Sequence, residues 1–258
     1  PLVYLDVEKN FIVDVQTIPI LRNIPYRAWD AEKRQMVDKV CTDYTVVTAD
    51  TATFESNKWY VVTSEVVRGA KIKVEGAAHL ILCDGVTLTA NGGDWEPGVE
   101  VRGEDSLHIY GQAAGTGALV AKGGSLSAGI GAGSGGDAAG IVTIDGGTVT
   151  AVSGADSAGI GGGREGKGGT VTVNGGTVTA TGGDLSAGIG GGRDGDGGNV
   201  TINGGRVTAT GGRNGADIGG GRWGDGGTVT INGGTVTGVG FVGIGGGRYG
   251  TGATVAIN

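Results

Sequence analysis

What the chain lacks narrows its nature first. Four prolines in 258 residues exclude collagen, whose Gly-X-Y period carries abundant proline. Two cysteines, Cys41 and Cys83, are too few for a disulfide scaffold and lack the CxxC spacing of a zinc site. They read as two independent half-buried thiols, with a single disulfide as the alternative. No run approaches the ~18 apolar residues of a spanning helix, so no membrane span is expected in this fragment. Cationic residues are outnumbered, 19 Lys and Arg against 26 Asp and Glu, and the net charge of −7 argues against nucleic acid as a partner. Aromatics make up only 5% of the chain. No P-loop, nucleophile elbow or zinc signature occurs, so no catalytic residue, metal ligand or cofactor is assigned.

Glycine is what the chain has in excess. It supplies 60 of the 258 residues, against a usual share of about 7%. Only 10 of those glycines precede residue 123. A disordered tract should lack β-branched apolar residues, yet Val, Ile and Thr recur throughout. Beyond residue 123 the recurrence is periodic. Ile130, Ile160, Ile189, Ile218 and Ile244 occupy equivalent positions, separated by 30, 29, 29 and 26 residues. Asp145, Asn174, Asn203, Asn232 and Asn258 form a second column. One unit reads SAGIGGGRDGDGGNVTINGGRVTATGGR, residues 186–213. A fixed period of this length means one supersecondary element stacked on the next.

Each unit holds three short extended runs separated by glycine turns. Alternation places Val171 and Val173 on one face and Thr170 and Thr172 on the other. The same logic turns Val178 and Ala180 inward and Thr177, Thr179 and Thr181 outward. No run has helical spacing. The expected fold is therefore all-β: a right-handed parallel β-helix of about six three-strand coils, with a small N-terminal β cap. Residues 1–57 form the cap segment and 58–258 the solenoid. Within the solenoid, 58–122 are degenerate coils and 123–258 regular repeats. Leu107 and Ile109 match Val171 and Val173, Leu88 and Ala90 match Val178 and Ala180, and WYVVTSEVV (59–67) opens the first coil. HLILC (79–83) is apolar on both faces, which leaves one face to pack under the cap; the alignment turns Cys83 toward the core. YRAWDAEKRQMVDKV (26–40) reads as a hairpin turning at Asp30–Lys33, with a short helix as the alternative. The Asn/Asp column is expected to hydrogen-bond from coil to coil.

The runs CTDYTVVTADTATF (41–54), KWYVV (58–62), LILCDGVTLTA (80–90), SLHIYGQ (106–112) and the repeated AGIGGG and VTVNGGTVTATGG carry a resemblance. The chain resembles the Gly-rich β-helical repeat regions of large secreted or wall-attached proteins of gut-type bacteria, often labelled carbohydrate-binding domain-containing. The resemblance spans about residues 41–258. It implies an extracellular or cell-surface protein that is adhesin-like, and it transfers no binding residues. The chain begins at Pro1 and breaks off within a repeat at TVAIN, which reads as one piece of a longer multidomain chain.

Chemistry concentrates after the first run of each unit. GGGR recurs as Arg164, Arg193, Arg222 and Arg248, followed by the column Glu165, Asp194, Trp223, Tyr249 and then Lys167, Asp196, Asp225, Thr251. Stacking gathers Arg193, Asp194, Arg222, Trp223, Arg248 and Tyr249 on one ridge. Aromatic faces cover sugar C–H surfaces while Arg and Asp bond hydroxyls, so a glycan or host-surface polysaccharide is the expected partner. The plainer reading is a self-neutralising Arg–carboxylate ladder. A polysaccharide lyase or glycosidase is a further alternative, since Glu165 and Asp194 in adjacent coils could lie ~5 Å apart. Both histidines, His79 and His108, alternate with apolar residues and read as outward surface positions. Asp196 with Asp225 could offer oxygen ligands to calcium, but no nine-residue period supports it. The TxT ranks (Thr148/Thr150, Thr177/Thr179, Thr235/Thr237) admit an ice-binding reading, against routine strand chemistry. The reading favoured is a non-catalytic glycan-binding adhesin module, with a passive stalk as the next alternative.

Overall fold

The computed structural model describes residues 23–258. The first 22 residues of the expected cap segment therefore lie outside the described residues. All regular structure among those described is β, and no helix there is long and apolar enough to cross a membrane. The chain winds as a parallel β-helix of about six turns with three sheets, as the period implies. The largest sheet has 11 strands, the next 8 and the smallest 7, the degenerate early turns extending the stack. Parallel pairing starts at Thr45–Val46, which lies beside Tyr60–Val61. The run 59–67 is two strands rather than one: Trp59–Val62 joins the largest sheet and Val66–Arg68 the smallest. The reason is a corner at 63–65 that forms without glycine and so leaves no mark in the sequence.

Identical residues stack in register, because each coil repeats the same corner chemistry. Val142, Val171, Val200 and Val229 pair in sequence along the largest sheet, with Ile144, Val173, Ile202 and Ile231 two residues on. Leu88, Leu119, Val149, Val178 and Val207 line the smallest sheet beside Ala90, Ala121, Ala151, Ala180 and Ala209. The third wall has strands of two residues, Ile130–Gly131, Ile160–Gly161 and Ile189–Gly190. Each isoleucine points inward and is fully buried. Each following glycine sits at φ near +136°, and a Cβ on Gly190 would lie 2.0 Å from the Gly219 carbonyl oxygen. Only glycine permits that approach.

The anticipated hairpin is present. β1 (Ile24–Asp30) pairs antiparallel with β2 (Gln35–Cys41), from Ile24 opposite Cys41 to Asp30 opposite Gln35. The Asp30 carboxylate accepts the Glu32 and Lys33 N–H groups at 3.1 and 3.0 Å, which closes the turn. The hairpin lies across the outer face of the largest sheet, where Arg27 pairs with Gly111. Beneath it a second apolar cluster forms from Ile24, Tyr26, Ala28, Cys41, Val61, Ile81 and Tyr110. Leu80 and Leu82 point into the solenoid, while Ile81 meets the hairpin. Cys83 packs against this outer cluster, not the core. The expectation for it was off by one residue, and a one-residue slip in a strand reverses the face. Both cysteines are free thiols, with burial pushing each pKa up.

The column at 145, 174, 203, 232 and 258 is a continuous hydrogen-bonded ladder. Each Asn amide donates to the side-chain oxygen of the preceding coil at 2.7 Å, from Asn258 back to Asp145. The shortened last unit has its own device. Asp217, 2% exposed, accepts the N–H groups of Gly211 and Gly240 at 2.8 and 2.7 Å, which binds the 26-residue coil to its neighbour.

Candidate ligand-binding ridge

The corner that follows each strand of the third wall places the chain in a conformation glycine would adopt more cheaply. Glu165, Asp194, Trp223 and Tyr249 have φ of 67°, 63°, 69° and 77°. Left-handed backbone costs a side-chain-bearing residue about 1–2 kcal/mol. The corners are nevertheless fixed, because the Glu165, Asp194 and Trp223 N–H groups donate to the Arg193, Arg222 and Arg248 carbonyls at 2.7–2.9 Å. The Arg193, Arg222 and Arg248 N–H groups donate to the carbonyls of Asp156, Leu185 and Asn214 in the corner ahead of the strand. Two corners thus meet along one edge, and their side chains stand out from it.

All six residues singled out from the sequence lie on this edge, in two kinds of surroundings. Arg193 is an ion-pair centre: its guanidinium lies 3.3 Å from Asp156 and 3.3 Å from Asp194. Arg164 pairs likewise with Glu165 at 3.4 Å. In the next two coils the carboxylates give way to rings. Trp223 and Tyr249 stack with centroids 4.3 Å apart and planes 24° apart, yet they are 54% and 57% exposed. The Arg222 guanidinium sits 5.5 Å from the Trp223 centroid, and that of Arg248 sits 4.9 Å from the Tyr249 centroid. The self-neutralising ladder describes the first half of the ridge; a cation–aromatic platform describes the second.

Asp196 and Asp225 are occupied by the backbone. The Asp225 N–H donates to Asp196 at 3.1 Å, and the Thr251 N–H donates to Asp225 at 2.8 Å, which lowers the Asp225 pKa. Lys167 also pairs with Asp196 at 3.0 Å.

Three features escaped the sequence reading. Trp95 is 58% exposed at φ 68°, in the corner ahead of the two-residue strand; the alignment of GGDWEPG with GGDLSAG was the available signal. The histidines leave the core as expected, but their rings are half-buried in an aromatic stack. His79 stacks on Trp59 at 4.3 Å and His108 on Tyr110 at 4.1 Å, and His79 Nδ1 lies 3.0 Å from the Tyr110 hydroxyl. Burial and the neighbouring His108 lower the His79 pKa, and burial raises that of Tyr110. His108 Nε2 stands 2.9 Å from the buried Asp145 carboxylate. Asp145 also accepts the Trp29 N–H of the hairpin at 2.8 Å. Burial opposes its charge, but His108, Asn174 and that N–H outweigh it and lower the pKa. Through the Trp29 N–H, Asp145 ties the hairpin to this cluster. The third feature is a cleft of about 490 Å³ between the hairpin and the first coil, lined by Tyr26, Asp43, Tyr44 and Trp59 among others. It is remote in the fold from the ridge.

Comparison with known proteins bears on the architecture. A family model described as a β-helix repeat matches residues 142–164, 171–193 and 200–222. The matched stretches begin at equivalent inward valines, Val142, Val171 and Val200, and end at Arg164, Arg193 and Arg222. They are similar to that repeat in the most regular third of the chain. No match was found among curated proteins or among solved structures.

Proposed function

We propose that the chain is a non-catalytic glycan-binding module of a bacterial surface or secreted protein. One observation carries this reading: the exposed Trp223–Tyr249 stack, flanked by Arg222 and Arg248 and held on left-handed corner positions. The same left-handed position carries the ion-paired Glu165 and Asp194 in the two preceding coils, so what sets Trp223 and Tyr249 apart is their exposed aromatic area. Rigid exposed rings supply apolar contact area at small entropic cost, and guanidinium groups supply donors for hydroxyls. Affinity at one site is expected to be weak and to gain from multiple copies. The test is a glycan array probed with multimerised protein, parent beside the Trp223→Ala/Tyr249→Ala double variant. Binding by the parent and at least a tenfold loss in the variant is expected, roughly 1.4 kcal/mol. Binding that survives the double substitution moves the site elsewhere on the solenoid.

The stalk reading has its own support in the unbroken amide ladder, which gives the body a stiffness that spacing requires. A parent that binds no glycan favours it. The enzyme reading finds Glu165 and Asp194 each held by a neighbouring arginine, Arg164 at 3.4 Å and Arg193 at 3.3 Å. Polysaccharide turnover abolished by Glu165→Gln or Asp194→Asn would restore it.

A further inference from the structure

We infer that the ligand of the ridge is an acidic saccharide, its anionic group taken by Arg222 and Arg248 while Trp223 and Tyr249 cover its ring. This rests on the glycan reading above and adds the chemical class.

The argument is a comparison of equivalent positions. Each arginine of the GGGR column meets two places where a carboxylate can stand. One is the residue after it; the other is the corner residue whose carbonyl accepts its N–H. Arg193 has a carboxylate at both, Asp194 and Asp156. Arg222 has Trp223 and Leu185 at those places, and Arg248 has Tyr249 and Asn214. Arg248 reaches only the neutral Asn214 amide oxygen, at 3.3 Å. Among the described residues neither Arg222 nor Arg248 has an ion-pair partner, and nor does the exposed Arg213 beside Asn214. Of the carboxylates in these coils, Asp225 is committed to the Thr251 N–H and buried Asp217 to Gly211 and Gly240, while the exposed Asp184 stands one coil before Arg213 and pairs with neither Arg222 nor Arg248. A chain of net charge −7 thus holds two adjacent arginines, Arg222 and Arg248, without an ion-pair partner at one corner.

The geometry also says how the anion is met. A guanidinium lying over an aromatic face still presents N–H donors that match a carboxylate or sulfate, and Arg248 spends only its Nη1 on Asn214. The rings beside it remain more than half exposed. The pair therefore suits a ligand that carries an anion and a C–H face within one ring of each other, which describes a uronic, sialic or sulfated sugar. A polyphosphate chain fits less well, because it offers the rings no C–H face to cover.

The test uses the full chain, multimerised, on immobilised polygalacturonate, hyaluronan, sialylated mucin and heparan sulfate. Each is set beside its neutralised counterpart: methyl-esterified, carboxyl-reduced, desialylated or desulfated. Retention on at least one acidic glycan is expected, about tenfold weaker on its counterpart and about tenfold weaker again for Arg222→Gln/Arg248→Gln, the scale of losing a charge-assisted hydrogen bond. Arg164→Gln, which removes an arginine already paired with Glu165, should bind as the parent does. Equal binding to charged and neutralised glycans overturns this inference and leaves the glycan reading standing. Binding to none of them overturns both. Single-stranded RNA retained through the same arginines, with no acidic glycan retained, transfers the site to another class of polymer.

Discussion

At the scale of single residues, close backbone packing and side-chain ladders set the tolerance to change. Gly190→Ala places a methyl group 2.0 Å from the Gly219 carbonyl oxygen at a φ of +136°, so neither neighbour can yield without breaking the ladder. The expected loss is more than about 3 kcal/mol in a urea or thermal melt. Gly243 has nothing within 4 Å of its would-be Cβ and no positive φ, and Gly243→Ala should change stability by less than about 0.5 kcal/mol. If the two variants melt alike, the close approach of coils is not what glycine provides here. The amide ladder makes a similar claim. Asn203→Leu removes a donor to Asn174 and an acceptor from Asn232, two bonds of 2.7 Å, and should cost about 1–3 kcal/mol. A melt unchanged by Asn203→Leu would mean that the column is exposed decoration.

Among the elements, the hairpin joins the solenoid through groups that titrate, so its docking should follow pH. His79 has a pKa below its ordinary value, which means the unfolded chain takes up a proton that the docked structure resists. Stability is therefore complete above about pH 6.5 and declines as pH falls below it. Asp145 works lower on the scale. Its pKa is depressed, so the stability it lends is present above about pH 4 and disappears as pH falls through the folded-state value. Thermal midpoints from pH 8 to 3 should fall in these two stages, and tryptophan fluorescence from Trp29 and Trp59 should report the hairpin. His79→Gln should flatten the upper stage and Asp145→Asn the lower; a midpoint constant from pH 7 to 5 would refute the first. The hairpin and the two-faced run HLILC that it covers were readable from the chain, but the titrating groups between them were not. Periodicity within a strand reveals inward residues such as Val171 and Val173, because alternation is local. What covers the opposite face is a long-range fact: Asp145 and Trp29 are 116 residues apart, and only the stacked register brings Tyr110, Ile81 and Val61 into one line beneath β1. The ridge was legible for the opposite reason. Its residues recur at the period itself, so the column is visible in the sequence, whereas Trp95 lies in a degenerate coil without the GGGR mark and shows only through the weaker match of GGDWEPG to GGDLSAG.

For the molecule as a whole, stacking in register implies that coils are interchangeable units. Stability should then be a sum of coil terms and nearest-neighbour terms rather than the property of one core. Excision of residues 174–202 joins Val173 to Asn203, which removes one 29-residue period and leaves every column aligned, since Val173 and Ile202 are register partners. The shortened chain should fold with the same β-sheet circular dichroism, unfold in one transition, and show a smaller denaturant slope in proportion to the surface lost. Excision of about half a period would instead set a Thr-faced strand against a valine column and should yield no cooperative transition. The same variant separates the two functions that a solenoid can serve. It deletes Arg193 and Asp194 but leaves Arg222, Trp223, Arg248 and Tyr249 on their own two coils. A module whose purpose is length loses part of that purpose with the coil. A module whose purpose is the platform at the far corner should bind its acidic glycan as the parent does, and glycan affinity of the excised chain against that of the parent is the measurement that decides. If affinity falls about tenfold or more while the fold persists, the ion-paired half of the ridge belongs to the site, and the ligand spans three coils rather than two.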